Sequence, residues 1–183
     1  MLIAESKLGT LENVLGKRSS LDRQRAVCLE AKERYGDDTR IVLEMEIALA
    51  ESLIRFGQTA DAKSILTGGL SKLNQSRSEN RMPRAQLLDA LVETLLANSE
   101  FAEAIRIANE LLAERKAFLG EQHPLTLRSK NQLGVALVRS GKLGEGIVWI
   151  REAWEQSQTL LGKQLPTTPV SYTHLTLPTK RIV

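Results

Sequence analysis

Side chains that could carry out chemistry are few in this 183-residue chain. Its two histidines are His123 and His174, and its single cysteine is Cys28. The sequence contains no P-loop, no GxGxxG and no metal-ligand spacing, and no carboxylate or hydroxyl residue has a recognisable catalytic partner. We therefore predict no catalytic residue, no metal site and no cofactor, and we predict that the protein is not an enzyme.

The two reactive residue types that remain have structural interpretations. His123 precedes Pro124 in a polar linker, and the residue 42 positions later is Leu165, so we predict a turn or packing role. Cys28 would share a helical face with Ala31, which predicts a small core residue. Two bases within one helical turn of Cys28, Arg25 and Lys32, would slightly lower its pKa. A lone cysteine excludes a disulfide framework.

Glycine or serine recurs every 21 residues, at Gly36, Gly57, Ser78, Ser99, Gly120, Gly141 and Gly162. A residue just past a helix end commonly adopts the left-handed conformation, which glycine takes without steric cost. Each block is therefore predicted to be one helix and one turn. The segment 119–161 shows two such amphipathic helices joined at 140–142, so the unit is a repeat of 42 residues.

A second register lies inside the helices, which we name helix A and helix B of each repeat. Large apolar residues align in helix A at Leu49, Leu91 and Leu133, and again at Leu53, Leu95 and Leu137. Small residues align beside them, with one exception, at Ala50, Val92 and Gly134 in helix A and at Ala62, Ala104 and Gly146 in helix B. Small side chains allow two helix axes to approach closely, so the register predicts tightly packed helix pairs.

This pattern resembles the tetratricopeptide repeat. The motif of helix A matches Leu133-Gly134-x-x-Leu137, and the small residue of helix B matches Gly146. The period of 42 residues and the linker LGEQHPLT are similar to the kinesin-light-chain type. The resemblance implies an all-α, right-handed α-solenoid of antiparallel helix pairs, with about four repeats. The period also fits HEAT units and propeller blades, but the small-residue register favours the tetratricopeptide type, and strand alternation is missing.

The repeats are predicted to fill residues 1–169, roughly as 2–35, 36–77, 78–119 and 120–161. This division gives eight helices, with turns inside the pairs at Gly16, Gly57, Ser99 and Gly141. The register of the first repeat is irregular. Prolines at 83, 124 and 166 would lie near the first turns of helices, where their missing N–H costs nothing.

Residues 170–183, VSYTHLTLPTKRIV, break the pattern and resemble one translated frame of a sequencing-library adapter. We predict a non-native tail, and hence a fragment cut in mid-array that leaves apolar surface of the last repeat exposed, at Trp149, Ile150 and Trp154. Both tryptophans are predicted to pack against a following helix rather than on a ligand. Without Lys180 and Arg181 the chain has 23 bases against 22 acids, so its charge falls from +3 to +1 and gives no support for nucleic-acid binding.

The resemblance also implies a binding surface, because helix A lines a concave groove in such arrays. The matching positions are Glu44, Ile47, Glu51, Gln86, Asp89, Glu93, Arg128, Asn131, Val135 and Arg139. Asn131 matches the asparagine with which kinesin-light-chain-like repeats hold a ligand backbone. Carboxylates in the first two of these repeats disfavour a ligand with a free C-terminal carboxylate.

The predicted function is a protein–protein interaction module that binds a peptide or helix of a partner. Alternatively, the chain is a regulatory fragment of a larger bacterial signalling enzyme or transcription regulator, with a kinase or winged-helix domain outside it. A nucleic-acid-binding solenoid is the third hypothesis. No apolar run approaches the ~20 residues of a membrane span, and the N-terminus does not resemble a signal peptide. We therefore expect a cytoplasmic protein without membrane contact that self-associates through its last repeat.

Overall fold

The computed structural model describes residues 19–37, 39–75 and 81–164. Within these ranges the chain forms seven helices and no strand, which confirms the predicted all-α class. The helices are α1 (Ser19–Tyr35), α2 (Arg40–Arg55), α3 (Thr59–Gln75), α4 (Arg81–Ala97), α5 (Phe101–Leu119), α6 (Pro124–Arg139) and α7 (Leu143–Gln164). Helices A are α2, α4 and α6, and each is followed by a helix B. The predicted first helix, the turn at Gly16, the position Ser78 and the tail 170–183 lie outside the described residues.

Three turns inside the pairs share one hydrogen-bond pattern. In the first, Gly57 N–H donates to the carbonyl of Ile54 (3.0 Å) and Gln58 N–H donates to that of Leu53 (2.8 Å). The same two bonds recur at Ser99 with Glu100 and at Gly141 with Lys142. Both bonds together form a Schellman motif, which satisfies carbonyls that the helix end would otherwise leave unpaired. The turns thus lie where the 21-residue step predicts them.

The small residues bring helix A and helix B into close contact. A Cβ built on Gly134 would lie 2.6 Å from Cγ1 of Ile150, and one built on Gly146 would lie 2.6 Å from the carbonyl oxygen of Gly134. Real Cβ atoms do not approach so closely, so only glycine fits at either position. The small-residue register therefore predicted a true backbone contact between α6 and α7.

Each helix packs against its neighbour in the chain, and helices A also contact one another. The helix α4 packs against both α2 and α6, whereas successive helices B lie farther apart and are joined by long ionic side chains, as in Arg25–Asp61 (2.9 Å) and Lys63–Glu103 (3.2 Å). Helices A therefore form the inner layer of the array, and helices B form the outer layer. An inner layer of neighbouring helices creates the surface on which a groove can lie.

One element differs from the 21-residue step. Helix α7 continues through Gly162 to Gln164, so this glycine lies inside a helix instead of ending it. Gly162 is exposed and a Cβ there would meet no atom within 4 Å, so neither packing nor space forces a turn. None of the helices that the structure describes is long and apolar enough to cross a bilayer.

Candidate peptide-binding groove

A cavity of about 560 Å³ lies on the layer of helices A. Its walls are α2, α4, the C-terminal end of α5 and the start of α6. The lining residues are Glu44, Ile47, Ala48, Glu51, Met82, Arg84, Ala85, Gln86, Asp89, Ala90, Glu93, Glu114, Arg115, Ala117, Phe118, Leu119, Leu125 and Arg128. This volume falls in the range of ligand sites, about 300–1,000 Å³. We call this cavity the groove.

Helical spacing explains which residues reach the groove. Steps of three and four residues place side chains on one face of a helix, and the groove-lining residues of α2 and α4 follow such steps. Seven of the ten positions implied by the family resemblance line it, namely Glu44, Ile47, Glu51, Gln86, Asp89, Glu93 and Arg128.

The other three predicted positions, all on α6, do not line the groove. Asn131 is exposed, and Val135 is partly buried against the hydrophobic core. The guanidinium carbon of Arg139 lies 5.2 Å from the ring centroid of Phe101, at the opposite end of α6 from the groove. A backbone-holding role for Asn131 stays a prediction.

A buried ion pair forms the floor of the groove. Arg115 of α5 is 3% exposed and donates to Asp89 of α4 (3.0 Å), to the hydroxyl of Ser129 (2.7 Å) and to the carbonyl of Leu125 (3.1 Å). One side chain thus joins α4, α5 and α6. The second carboxylate oxygen of Asp89 is buried and has no hydrogen-bond partner among the described residues.

A second arginine ties α6 to α4 at the same place. Arg128 donates to Glu93 (2.7 Å) and lies 3.7 Å from Asp89. Burial acts to lower the pKa of Arg128, but the charge of Asp89 and the hydrogen bond to Glu93 outweigh it and raise that pKa. The guanidinium of Arg128 therefore forms its ion pairs with carboxylates of the groove.

Glu51 of α2 differs from the other groove acids described here, because no ion pair holds it within the described residues. Partial burial raises the pKa of its carboxyl group and the nearby carboxylate of Glu93 raises it further, while Arg55 and Arg128 act to lower it without reversing the shift. Its side chain still reaches solvent. The carboxylate of Glu51 is thus accessible to solvent and has no cationic partner among the described residues, so a cation of a ligand could pair with it.

The opposite end of the groove carries two exposed apolar side chains beside the ion pair of Arg84 and Glu114. Met82, at the start of α4, is 41% exposed, and Phe118, at the end of α5, is 52% exposed. Exposed large apolar side chains inside a concave site are typical anchors for a partner's side chain. The positions implied by the family resemblance include neither Met82 nor Phe118. Phe118 could not be among them, because the repeat pattern assigns binding to helix A and Phe118 belongs to helix B.

The residues considered first for chemistry have structural roles. His123 caps α6, because its Nδ1 accepts a hydrogen bond from the N–H of Leu125 (3.2 Å). Cys28 is buried, and burial raises the pKa of its thiol despite the opposing charge of Lys32, so the expected lowering was wrong. Across the described ranges, no group of three or more His, Cys, Asp or Glu residues could hold a metal ion.

In comparisons with known proteins, no family model matches the chain, and no curated protein matches it. The chain is similar to the crystal structure of a Podosopora anserina protein of kinesin-light-chain type with nearly identical TPR-like repeats, at 15% identity over 91% of this chain and 97% of that one, with a TM-score of 0.41. A point variant of that protein gives 14% identity, coverage of 88% and 96%, and a TM-score of 0.43.

The fold is assigned from the geometry of the chain itself. Three turns share one hydrogen-bond pattern, Gly134 and Gly146 bring two backbones together, and helices A lie side by side. These features make the chain an all-α solenoid of helix pairs.

Proposed function

We propose that the protein is a binding module that holds a peptide segment of a partner protein in the groove between α2, α4 and α5. The observation that carries the proposal is the meeting of seven predicted positions in one cavity of about 560 Å³. A groove of this size, with apolar and polar residues converging on it, is the usual form of a recognition site.

The charge of the groove favours a protein partner over a nucleic acid. Five carboxylates line it against three arginines, and the arginines are paired with carboxylates. A phosphate backbone needs free bases at its contact surface. We therefore expect no binding of RNA or DNA to this surface, even at low salt, in a filter-binding assay.

The test is selection from a displayed random-peptide library on the full chain, followed by a groove-blocking variant. Gln86 is exposed and lines the groove, so Gln86→Trp fills space without disturbing the core. Ser64→Trp, at an exposed position of α3 outside the groove, is the matched control.

The expected result is a set of selected peptides that bind the wild-type chain and the Ser64→Trp variant but not Gln86→Trp. Circular dichroism melts of both variants establish that the fold is retained. Peptides that bind all three chains equally would place the binding surface elsewhere, and a library without any binder would refute the proposed function.

A second surface supports self-association. Large apolar side chains recur along α7 and stay exposed, at Leu143, Ile147, Val148 and Trp154. On α5, the residue equivalent to Trp154, Leu112, is buried, and those equivalent to Leu143 and Ile147, Phe101 and Ile105, are partly buried against the core. Trp149 packs partly inward near Lys116 instead, so it does not belong to this surface. We propose that this face of α7 associates with a second copy of the chain.

A further inference from the structure

The acids of the groove outnumber its bases. Its five carboxylates belong to Glu44, Glu51, Asp89, Glu93 and Glu114, and its three cations belong to Arg84, Arg115 and Arg128. Arg40, outside the groove, pairs with Glu44 (2.8 Å), so the excess that keeps no ion pair in the described part of the chain is the carboxylate of Glu51. A partner that brings positive charge compensates this excess, whereas an acidic partner adds to it.

No arginine of the groove is available to a ligand anion. Arg84 pairs with Glu110 and Glu114, Arg115 pairs with Asp89, and Arg128 pairs with Glu93. An acidic segment would have to break one of these pairs and leave a carboxylate without its partner. The paired arginines therefore disfavour the binding of acidic segments.

The groove carboxylate that lacks an ion pair among the described residues lies at one end of the groove. Glu51 has no ion pair in the described part of the chain, and Glu93 and Asp89 lie near it. The buried oxygen of Asp89 that lacks a hydrogen-bond donor belongs to the same end. A lysine or arginine side chain entering here would meet two carboxylates and supply hydrogen-bond donors.

The apolar end lies at a fixed distance from this acidic end. Met82 and Glu93 are eleven positions apart on α4, which corresponds to about 16 Å along a helix axis. An extended chain advances about 3.3 Å per residue, so about five residues separate the two ends. A helical segment would need about eleven residues to cover the same distance.

From this geometry we infer that the groove binds an extended basic segment of a partner protein, with a large apolar residue at the Met82–Phe118 end and a lysine or arginine at the Glu51–Glu93 end, about five residues away. This inference rests on the proposed function and specifies its ligand.

The test uses four blocked, fluorescein-labelled hexapeptides whose interior residues are small and polar. The first has leucine at one end and lysine at the other, and both orientations are made. The second replaces lysine by glutamine, the third replaces it by glutamate, and the fourth replaces leucine by serine. Fluorescence anisotropy gives their affinities for the full chain at low salt.

The expected order is lysine over glutamine over glutamate, with a loss of about threefold to fivefold when lysine becomes glutamine. Phe118→Ala should weaken the leucine peptide more than the serine peptide. Glu51→Gln should remove the advantage of lysine over glutamine, whereas Glu155→Gln, at an exposed position of α7 outside the groove, should keep it.

Glu51→Gln also distinguishes binding from folding. The carboxylate lies among like charges, which raise its pKa, so its removal should not lower the melting temperature. Equal binding of the lysine and glutamate peptides, or an advantage of lysine that survives Glu51→Gln, would overturn the inference and leave the proposed function standing. Absence of binding by the whole set and by the displayed library would remove both.

Discussion

Single residues set the turns of this array, and Ser99 shows how. Ser99 has a φ of 62°, in the left-handed region, where the equivalent Gly57 and Gly141 have φ of 76° and 92°. A side chain in this region costs about 1–2 kcal/mol, while glycine loses more conformational entropy on folding, about 0.5–1 kcal/mol. The turn at Ser99 is therefore strained relative to its two equivalents.

We predict that Ser99→Gly raises the free energy of unfolding by about 0.5–1 kcal/mol. The reverse change, Gly57→Ser, should lower it by a similar amount, because a Cβ at Gly57 meets no atom and only the backbone is strained. Urea denaturation of both variants is the measurement. Opposite signs are required, and a stabilising Gly57→Ser would contradict the account of the turn.

The pair Arg115–Asp89 is the second residue-scale feature. Removing one partner of a buried ion pair leaves an uncompensated charge, which costs about 3–5 kcal/mol. We therefore expect Arg115→Met to lower the free energy of unfolding by an amount at the lower end of this range, because Arg128 still lies 3.7 Å from Asp89, and the double variant with Asp89→Leu to recover much of it. A loss below about 1 kcal/mol in Arg115→Met would show that the pair is open to solvent.

The sequence could not have predicted this pair. Positions 42 residues before and after Arg115 hold Leu73 and Ser157, so the repeat register gives no sign of a buried arginine. The same holds for Lys130, which is fully buried and pairs with Glu152 at 2.6 Å, where the equivalent positions hold Leu88 and Glu46. Such pairs depend on the distances between particular side chains of neighbouring helices, whereas a register gives only the face on which each side chain lies.

Helices and turns, in contrast, were well predicted. Small residues at Ala50, Ala62, Ala104, Gly134 and Gly146 are all buried at contacts between helices, because close approach of two axes leaves no room for a larger side chain. The groove was predicted along helix A and missed on helix B, since the end of α5 reaches it only through the packing of α5 against α4 and α6.

The packing of these elements gives a direct prediction. Ala104 is completely buried, so Ala104→Leu should cost about 1–3 kcal/mol by overpacking. Leu133 is 2% exposed, so Leu133→Ala should cost about 2–5 kcal/mol through the cavity that it leaves. Thermal or urea melts measure both. Wild-type stability in both variants would refute the register of the helices.

At the scale of the whole molecule, the array presents two different surfaces, the groove on helices A and the apolar face of α7. Exposed apolar patches promote association, so the full chain should self-associate as its concentration rises. Ile147→Glu with Trp154→Glu should reduce this association in sedimentation velocity, and Ser64→Glu with Thr67→Glu, at exposed positions of α3, should not. Unchanged association in the double variant would place the contact elsewhere.

The segment 170–183 provides a further test at this scale. We predict that its deletion leaves the free energy of unfolding nearly unchanged, since the sequence suggests a tail foreign to the array. Urea denaturation of the shortened chain is the measurement. A loss of several kcal/mol would mean that this segment belongs to the array as its cap.

The central claim is that a partner segment lies on the layer of helices A. Hydrogen–deuterium exchange of the full chain, with and without a peptide obtained from the displayed library, tests it most directly. The account predicts slower exchange in 44–51, 82–93 and 114–119, and no change in α3 or on the exposed face of α7. Protection confined to α3 or to 143–154 would contradict it.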